Sequence, residues 1–428
     1  MTIIIKIVLL GVFLVFNLNI NAQQQLNFVQ ADVITYNQYL RGEWQELIKT
    51  GKTYLKYGET FYYLQIRMGI AYYHLKKYRK AIIYLSKAYE KHQNNDLLSE
   101  YLYYAYIFSG RMMDAKKLSE HFDYDLRKKL GINNERFIDA ITFNVRFEKN
   151  KDYFVGLNNS DLLKQAYRKD FSYFDFGMEH IFGEDKRIYW NFSKINKSLI
   201  VYDVGDNNEQ TNNNLYIKQN QFYISFYKQL NYGLNFKIAS NILNIVYISE
   251  DPVVSLRYVS NEIVLFSGIH KDIGNFKLGF KASIGNLYKN FQFQPGLDFT
   301  YYPFANTNFY FSIFVDYKVE KDNAQWSNSP IIRPVLGVKL FNIYFEPSYT
   351  FGQIINYVDK EALVIYNDND VMKNLFEITV FTYLFKGKLS VFVKYQNYIK
   401  TNTYFLNNIE QSVDYLNQTY TGGIKWNF

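Results

Sequence analysis

Residues 420–428 read Tyr-Thr-Gly-Gly-Ile-Lys-Trp-Asn-Phe and close the chain. Tyr420, Gly422, Ile424, Trp426 and Phe428 alternate with Thr421, Gly423, Lys425 and Asn427. A strand here carries apolar and aromatic groups on one face and polar groups on the other. Apolar outward and polar inward is the pattern expected in the wall of a membrane-spanning barrel.

The same period of two recurs upstream. Phe276, Leu278, Phe280, Ala282 and Ile284 alternate with Lys277, Gly279, Lys281 and Ser283, and Ile343, Phe345, Pro347, Tyr349 and Phe351 alternate with Tyr344, Glu346, Ser348 and Thr350. Alternation alone also suits a soluble β-sandwich, so the connections must decide. Short links recur near 183–185, Asn231, Gly274, 303–306, Phe341 and Gly387. Between them lie mostly longer polar stretches at 150–170, 197–215, 247–257, 320–330, 353–372 and 400–415. Short turns at one end and long loops at the other is the outer-membrane layout. Counting runs from 137 to 428 gives about 14 strands, an even number, as such barrels have.

Composition agrees. The chain holds 42 Tyr and 37 Phe, with aromatics at 19% of residues. Outward rings such as Phe174, Phe176, Trp190, Phe192, Phe222, Phe226, Phe309, Phe311, Tyr395 and Trp426 suit a lipid face with interfacial girdles. The opposite parity supplies the lumen candidates: Arg146, Lys237, Lys277, Lys281, Asp298, Asp316, Arg333, Glu346, Glu377, Tyr223, Tyr310 and Tyr344. Charges of both signs among rings allow either a polar channel with stacking faces for sugars or a closed lumen held by internal ion pairs.

Residues 1–22 carry Lys6, an apolar run from Ile7 to Phe16 and a small residue at Ala22, the pattern of a cleaved signal peptide. A retained anchor helix is the alternative, but the run is shorter than the ~20 residues that span a bilayer. No cysteine is present, which excludes disulfide frameworks, a lipidated Cys and thiolate chemistry. The formal charge of +8 comes without a dense basic helix or arm, so nucleic acid is not an expected partner.

Residues 28–130 repeat with a period of about 34, the tetratricopeptide (TPR) length. Gly69-Ile70-Ala71-Tyr72, Tyr78, Ala81, Leu85 and Ala88 occupy the small and aromatic positions of a helix pair. Ala105, Tyr106, Gly110 and Ala115 follow in phase, and Gly42 and Trp44 precede. Gly51 departs from the pattern by standing where a large residue is expected. A stack of such pairs offers a surface to a peptide or protein segment, and Tyr63, Tyr72, Tyr73, Tyr103 and Tyr106 are the candidates to line it.

Catalysis finds no motif: His74, His92, His121, His180 and His270 are scattered, and HExxH, GxSxG and P-loop signatures are missing. No cofactor or metal is expected. The acidic stretches Asp203–Glu209 and Asn367–Asp370 lack EF-hand spacing and read as solvated loops.

The expected fold is therefore α + β in two domains: a short TPR-like α-solenoid (28–130), periplasmic, followed by an antiparallel transmembrane β-barrel (137–428). This layout resembles the YaiO-type outer-membrane β-barrel family with N-terminal TPR-like repeats, and less closely the exopolysaccharide exporters that join a periplasmic TPR scaffold to a barrel. Tyr420, Ile424, Trp426 and Phe428 resemble the C-terminal signal read by the barrel-insertion machinery. The resemblance implies an envelope role linked to surface polysaccharide. Two functions remain open: a pore or export conduit, or a closed anchor presenting the repeats or its loops. The expected partners are outer-membrane lipid, the insertion machinery, and a periplasmic protein or peptide at the repeats.

Overall fold

The computed structural model describes residues 26–58, 60–132, 137–150, 164–183, 185–204, 210–250, 255–322, 325–367, 370–406 and 409–428. The expected signal peptide lies outside the described residues, as does most of the acidic stretch 203–209. Seven helices come first: α1 (Phe28–Leu40), α2 (Trp44–Tyr57), α3 (Tyr62–His74), α4 (Tyr78–Lys91), α5 (Asp96–Phe108), α6 (Met112–Ser119) and α7 (Tyr124–Leu130).

The helical unit obeys the repeat read from sequence. Gly42, Lys76 and Gly110 stand at the turns within successive helix pairs, and all three are left-handed, with φ of 68°, 57° and 79°. Asn27 opens α1 with a capping box, its Oδ1 accepting from the Gln30 amide at 2.8 Å, and Asn95 and Asp123 cap α5 and α7 by accepting from the Leu98 and Leu126 amides. These side chains satisfy amides that the first helical turn leaves unpaired. Leu47, Leu64, Met68, Leu85, Leu98, Leu102 and Leu118 form one continuous core between the pairs. Gly69 lies beneath Leu85, where an added Cβ would stand 2.4 Å from Cδ2. Gly51 departs from the repeat pattern because Met68 Sδ would be 2.6 Å from a Cβ there, so a large residue has no room.

The strands are β1 (Ile138–Asn150), β2 (Lys164–Phe182), β3 (Lys186–Val204), β4 (Gln210–Asn231), β5 (Leu234–Glu250), β6 (Ser255–Ile273), β7 (Phe276–Gly285), β8 (Phe291–Tyr301), β9 (Phe309–Asp322), β10 (Gln325–Leu340), β11 (Ile343–Ile354), β12 (Tyr357–Asp359), β13 (Val364–Tyr366), β14 (Val371–Leu384), β15 (Leu389–Leu406) and β16 (Ile409–Asn427). All but β12 and β13 form a closed antiparallel barrel of 14 strands, and β16 returns to pair with β1. Closure leaves no unpaired edge, which a sheet surrounded by lipid requires. At the seam Tyr420, Ile424 and Trp426 face Phe147, Phe143 and Ile141 across the strands, and the Phe428 amide donates to Asp139 O at 2.9 Å. Among the described residues no helix is long and apolar enough to cross a membrane, which says nothing of a β-barrel.

Two expectations about the connections need correction. The stretches 197–215, 320–330 and 400–415 are not long loops, because β3/β4, β9/β10 and β15/β16 continue through most of them as extended hairpins. Alternation marks a strand only where its two faces meet unlike surroundings, so strand with polar surroundings on both faces reads as loop. The stretch 353–372 is not an outer loop either. It turns inward, and β12 and β13 pair as a hairpin inside the barrel.

Candidate functional site

The inward hairpin is the feature around which the lumen is built. Its tip, Lys360-Glu361-Ala362, is left-handed at three successive non-glycine residues (φ 46°, 60° and 67°), a conformation that persists only when its surroundings hold it. Here the holders are Tyr223, whose hydroxyl donates to Glu361 O at 3.2 Å, and Asn241, whose Nδ2 donates to Ala362 O at 2.8 Å. Ion pairs tie the hairpin to several sides of the wall: Arg333–Asp359 at 2.5 Å from β10, Lys237–Glu361 from β5, and Lys360–Glu377 at 3.7 Å from β14. Tyr357 donates to Asp316 at 2.7 Å, and Gln294 bridges both the amide and the carbonyl of Val358.

The wall that receives the hairpin is apolar where a water-filled lumen would be polar. Leu243 and Ile245 of β5 and Val264 and Phe266 of β6 point inward and pack with Val358, Ala362 and Ile365 in a buried cluster. A second cluster seats Tyr357 against Ile331, Ile354, Met372, Leu375 and Tyr398. These contacts give the barrel a core of its own. Without the hairpin the inward apolar side chains would meet water, which is unfavourable by about 25 cal/mol per Å².

The other end is covered by the helical unit, docked on the rim of short turns. Arg79 bonds Asp272 at 2.8 Å and Gly274 O at 3.2 Å, and its guanidinium lies 3.7 Å over the Tyr302 ring. Asp114 accepts from the Gly233 amide at 2.7 Å, from Gln229 Nε2, and from Arg111 at 2.7 Å. Tyr106 stacks on Tyr232 at 5.8 Å, and Asn306 Nδ2 donates to Lys76 O at 2.9 Å. Lys116 faces Asp139 at 3.4 Å; burial first, then the Arg187 charge, holds its ammonium pKa below the ordinary range.

Between hairpin and helical unit lies a chamber of about 1030 Å³. Gly110–Asp114 of the helical unit form one end and Lys360, Glu361 and Leu363 of the hairpin form the other. Of the lumen candidates, Lys237, Lys277, Lys281, Asp298, Arg333, Glu346, Glu377, Tyr223 and Tyr310 line this chamber. The other three do not. Asp316 is buried between Lys281 and Tyr357, Arg146 bonds Thr421 at 3.2 Å under the Tyr173 ring, and Tyr344 stacks on Phe381 at 4.8 Å. Most charges in the chamber are paired: Glu179 with Arg187 at 2.7 Å and Lys425 at 2.6 Å, Asp298 with Lys281 at 2.9 Å and His270 at 3.1 Å, and Glu377 with Lys394 at 3.3 Å.

On the helical unit, Tyr63 is 60% exposed, whereas Tyr72 and Tyr106 are 3% and 2% exposed and belong to the core. Tyr72 stacks on Tyr84 at 5.4 Å, and Tyr106 reaches the barrel rim, so neither lines a binding surface. Tyr73 and Tyr103 are partly buried against the same core. Arg67 lies over the rings of both Tyr63 and the 48% exposed Tyr36, at 5.8 and 5.0 Å. Among the described residues no three His, Asp or Glu side chains converge as metal ligands.

The sequence reading missed the hairpin, its apolar seat and the rim contacts. One signal was present: β5 is apolar at both parities beyond Asn241, through Ile242, Leu243, Ile245 and Val246, which a strand between lipid and water would not be.

No protein-family model matches the chain, and no curated protein matches it. Among solved structures it is similar to a Pseudomonas aeruginosa FadL homologue, at 8% identity over 68% of this chain and 90% of that one, with a TM-score of 0.42. It is similar also to the ΔS2S3 mutant of the monoaromatic hydrocarbon channel TodX, at 8% identity over 70% and 92%, TM-score 0.46. A quarter of the chain is similar to PcrH in complex with the chaperone binding region of PopB, at 15% identity over 25% and 95%, TM-score 0.21. Strand order, closure and the ring-rich outer face define the class: an outer-membrane-type β-barrel carrying a helical-repeat unit at the end where β1 begins and β16 finishes.

Proposed function

We propose that this protein is an outer-membrane anchor: a barrel closed by its own hairpin that holds a TPR-like platform on its periplasmic face. One observation carries the reading, the inward apolar seat formed by Leu243, Ile245, Val264 and Phe266 around Val358, Ala362 and Ile365. A wall built this way has its hairpin as a permanent part. The short-turn rim bearing the helical unit is the periplasmic side by the outer-membrane rule, and residues 1–22 serve as a cleaved export signal. The work is done by binding rather than catalysis, with the exposed Tyr63 and Tyr36 around Arg67 facing a periplasmic protein or peptide. Vesicles bearing the full protein should retain a trapped small sugar as protein-free vesicles do. Sugar release at porin rates would reject the anchor.

A second reading, a conduit for surface polysaccharide, rests on the resemblance to YaiO-type barrels and is favoured by the chamber, where Tyr227, Tyr310 and Tyr383 stand among paired charges. It requires the hairpin to leave its seat, and the same vesicles would then admit sugar.

A further inference from the structure

The tip of the inward hairpin carries more positive charge than its surroundings answer. Arg333 is matched by Asp359 and Lys237 by Glu361, but Lys360 and Lys394 share the single carboxylate of Glu377, at 3.7 and 3.3 Å. Glu377 also accepts from Gln396 at 2.8 Å. At 3.7 Å the Lys360 ammonium is beyond hydrogen-bond reach of Glu377, and among the described residues its Nζ meets no other acceptor. Its side chain is 38% exposed, and it lines the chamber. Glu346 stands in the same row as Lys394, two strands away past Thr379, but it is held by the Tyr310 hydroxyl instead.

Rings form the chamber wall beside these cations. Phe392 is the next inward residue to Lys394 on β15, about 7 Å along the strand, and it pairs across the strands with Phe381 of β14. Both line the chamber and are only partly buried. The way in lies on the uncovered part of the rim. Rim contacts of the helical unit fall on the turns after β4, β6 and β8, whereas the turn after β14 carries Phe385, 68% exposed. The chamber lining runs from Thr379 and Lys394 through Phe381 to Tyr383, beside that open turn.

We propose that the chamber binds a small ring-bearing carboxylic acid, its carboxylate between Lys360 and Lys394 and its ring against Phe381 and Phe392. One negative charge answers the one excess positive charge. A phosphate monoester carries about −1.5 to −2 at neutral pH and would leave the site negative. The rings supply an apolar face on which a flat body stacks. Because Lys360 belongs to the hairpin and Lys394 to the wall, the acid bridges the two, and the proposal rests on the hairpin occupying its seat, as the anchor reading does.

The test is isothermal titration of the full protein in detergent with benzoate, glucuronate, acetate, glucose and inorganic phosphate, each alone. A ring acid should bind, the tighter of benzoate and glucuronate naming the ring as aryl or sugar, while acetate binds more weakly and glucose not at all. Lys360→Gln removes a hydrogen bond to a charged group and should weaken the ring acid by about tenfold or more. Phe392→Leu should weaken the ring acid and leave acetate unchanged. An unchanged heat-induced gel shift will show that each variant is folded. Binding of neither ring acid overturns the proposal, and so does equal binding by Lys360→Gln. Acetate bound as tightly as the ring acids would remove the rings from the site, and phosphate bound as tightly would make it a free-anion site; either result also overturns it. A conducting barrel whose ring-acid binding still depends on Lys360 would sink the anchor reading and leave this one standing, and a silent barrel that binds neither acid would do the reverse.

Discussion

Arg79 and Asp272, 193 residues apart in the chain, meet at 2.8 Å with side chains only 3% and 7% exposed. The pair joins α4 to the end of β6 and so ties the helical unit to the barrel. Removing one partner of a buried pair leaves an uncompensated charge, at a cost of about 3–5 kcal/mol. Arg79→Ala should therefore release the helical unit to limited proteolysis while the barrel stays folded. Asp272→Ala should do the same, and the double variant should lose less than the two single losses added together. Small, additive losses would show the contact to be incidental.

The apolar seat makes an asymmetric expectation within β5. Leu243 is fully buried against the hairpin, whereas Ile242 points outward and is 48% exposed. Leu243→Ala should destabilise the folded barrel by about 2–5 kcal/mol, and Ile242→Ala by much less. Thermal unfolding in one detergent compares them directly; equal losses would mean that the hairpin is not packed there.

Gly69 tests the packing of the helical unit. With Leu85 Cδ2 only 2.4 Å from an added Cβ and the Leu85 backbone amide 3.3 Å away, Gly69→Val must push α3 from α4. Overpacking of this kind costs about 1–3 kcal/mol. Far-ultraviolet circular dichroism should show the helical signal melting earlier while the strand signal is unchanged.

His74 stacks face to face on Trp44 at 4.4 Å and approaches the Tyr101 hydroxyl at 3.2 Å. Burial holds its pKa below the ordinary histidine value. A folded-state pKa below the unfolded one means that the unfolded chain binds the proton more readily, so this contribution is complete above about pH 6.5 and is lost as pH falls through that value and below. The melting temperature of the helical unit should fall between neutral and mildly acidic pH, and His74→Phe should flatten that dependence. An unchanged slope in the variant would exclude His74 as the cause.

What could be read without coordinates was what repeats. Fourteen strands with short turns on one side emerge from alternation because lipid and lumen impose opposite chemistry on successive residues, and Gly42 and Gly110 mark turns because each needs a left-handed backbone. The hairpin was hidden for a physical reason: Asp359, Lys360 and Glu361 have the composition of a solvated loop whether they meet water or Arg333, Glu377 and Lys237. The rim contacts were hidden too, since Arg79 and Asp272 each read as a surface charge until the two units are docked. Tyr72 and Tyr106 were placed on a surface because helical spacing shows that tyrosines share a face, not whether another helix covers it.

Single-channel conductance of the full protein in planar bilayers, beside a variant in which residues 356–366 are replaced by a short glycine–serine link, tests closure most directly. A barrel sealed by its own hairpin gives silence from the full protein and steady conductance from the variant. Steady conductance from the full protein, at the level of the variant, would contradict it.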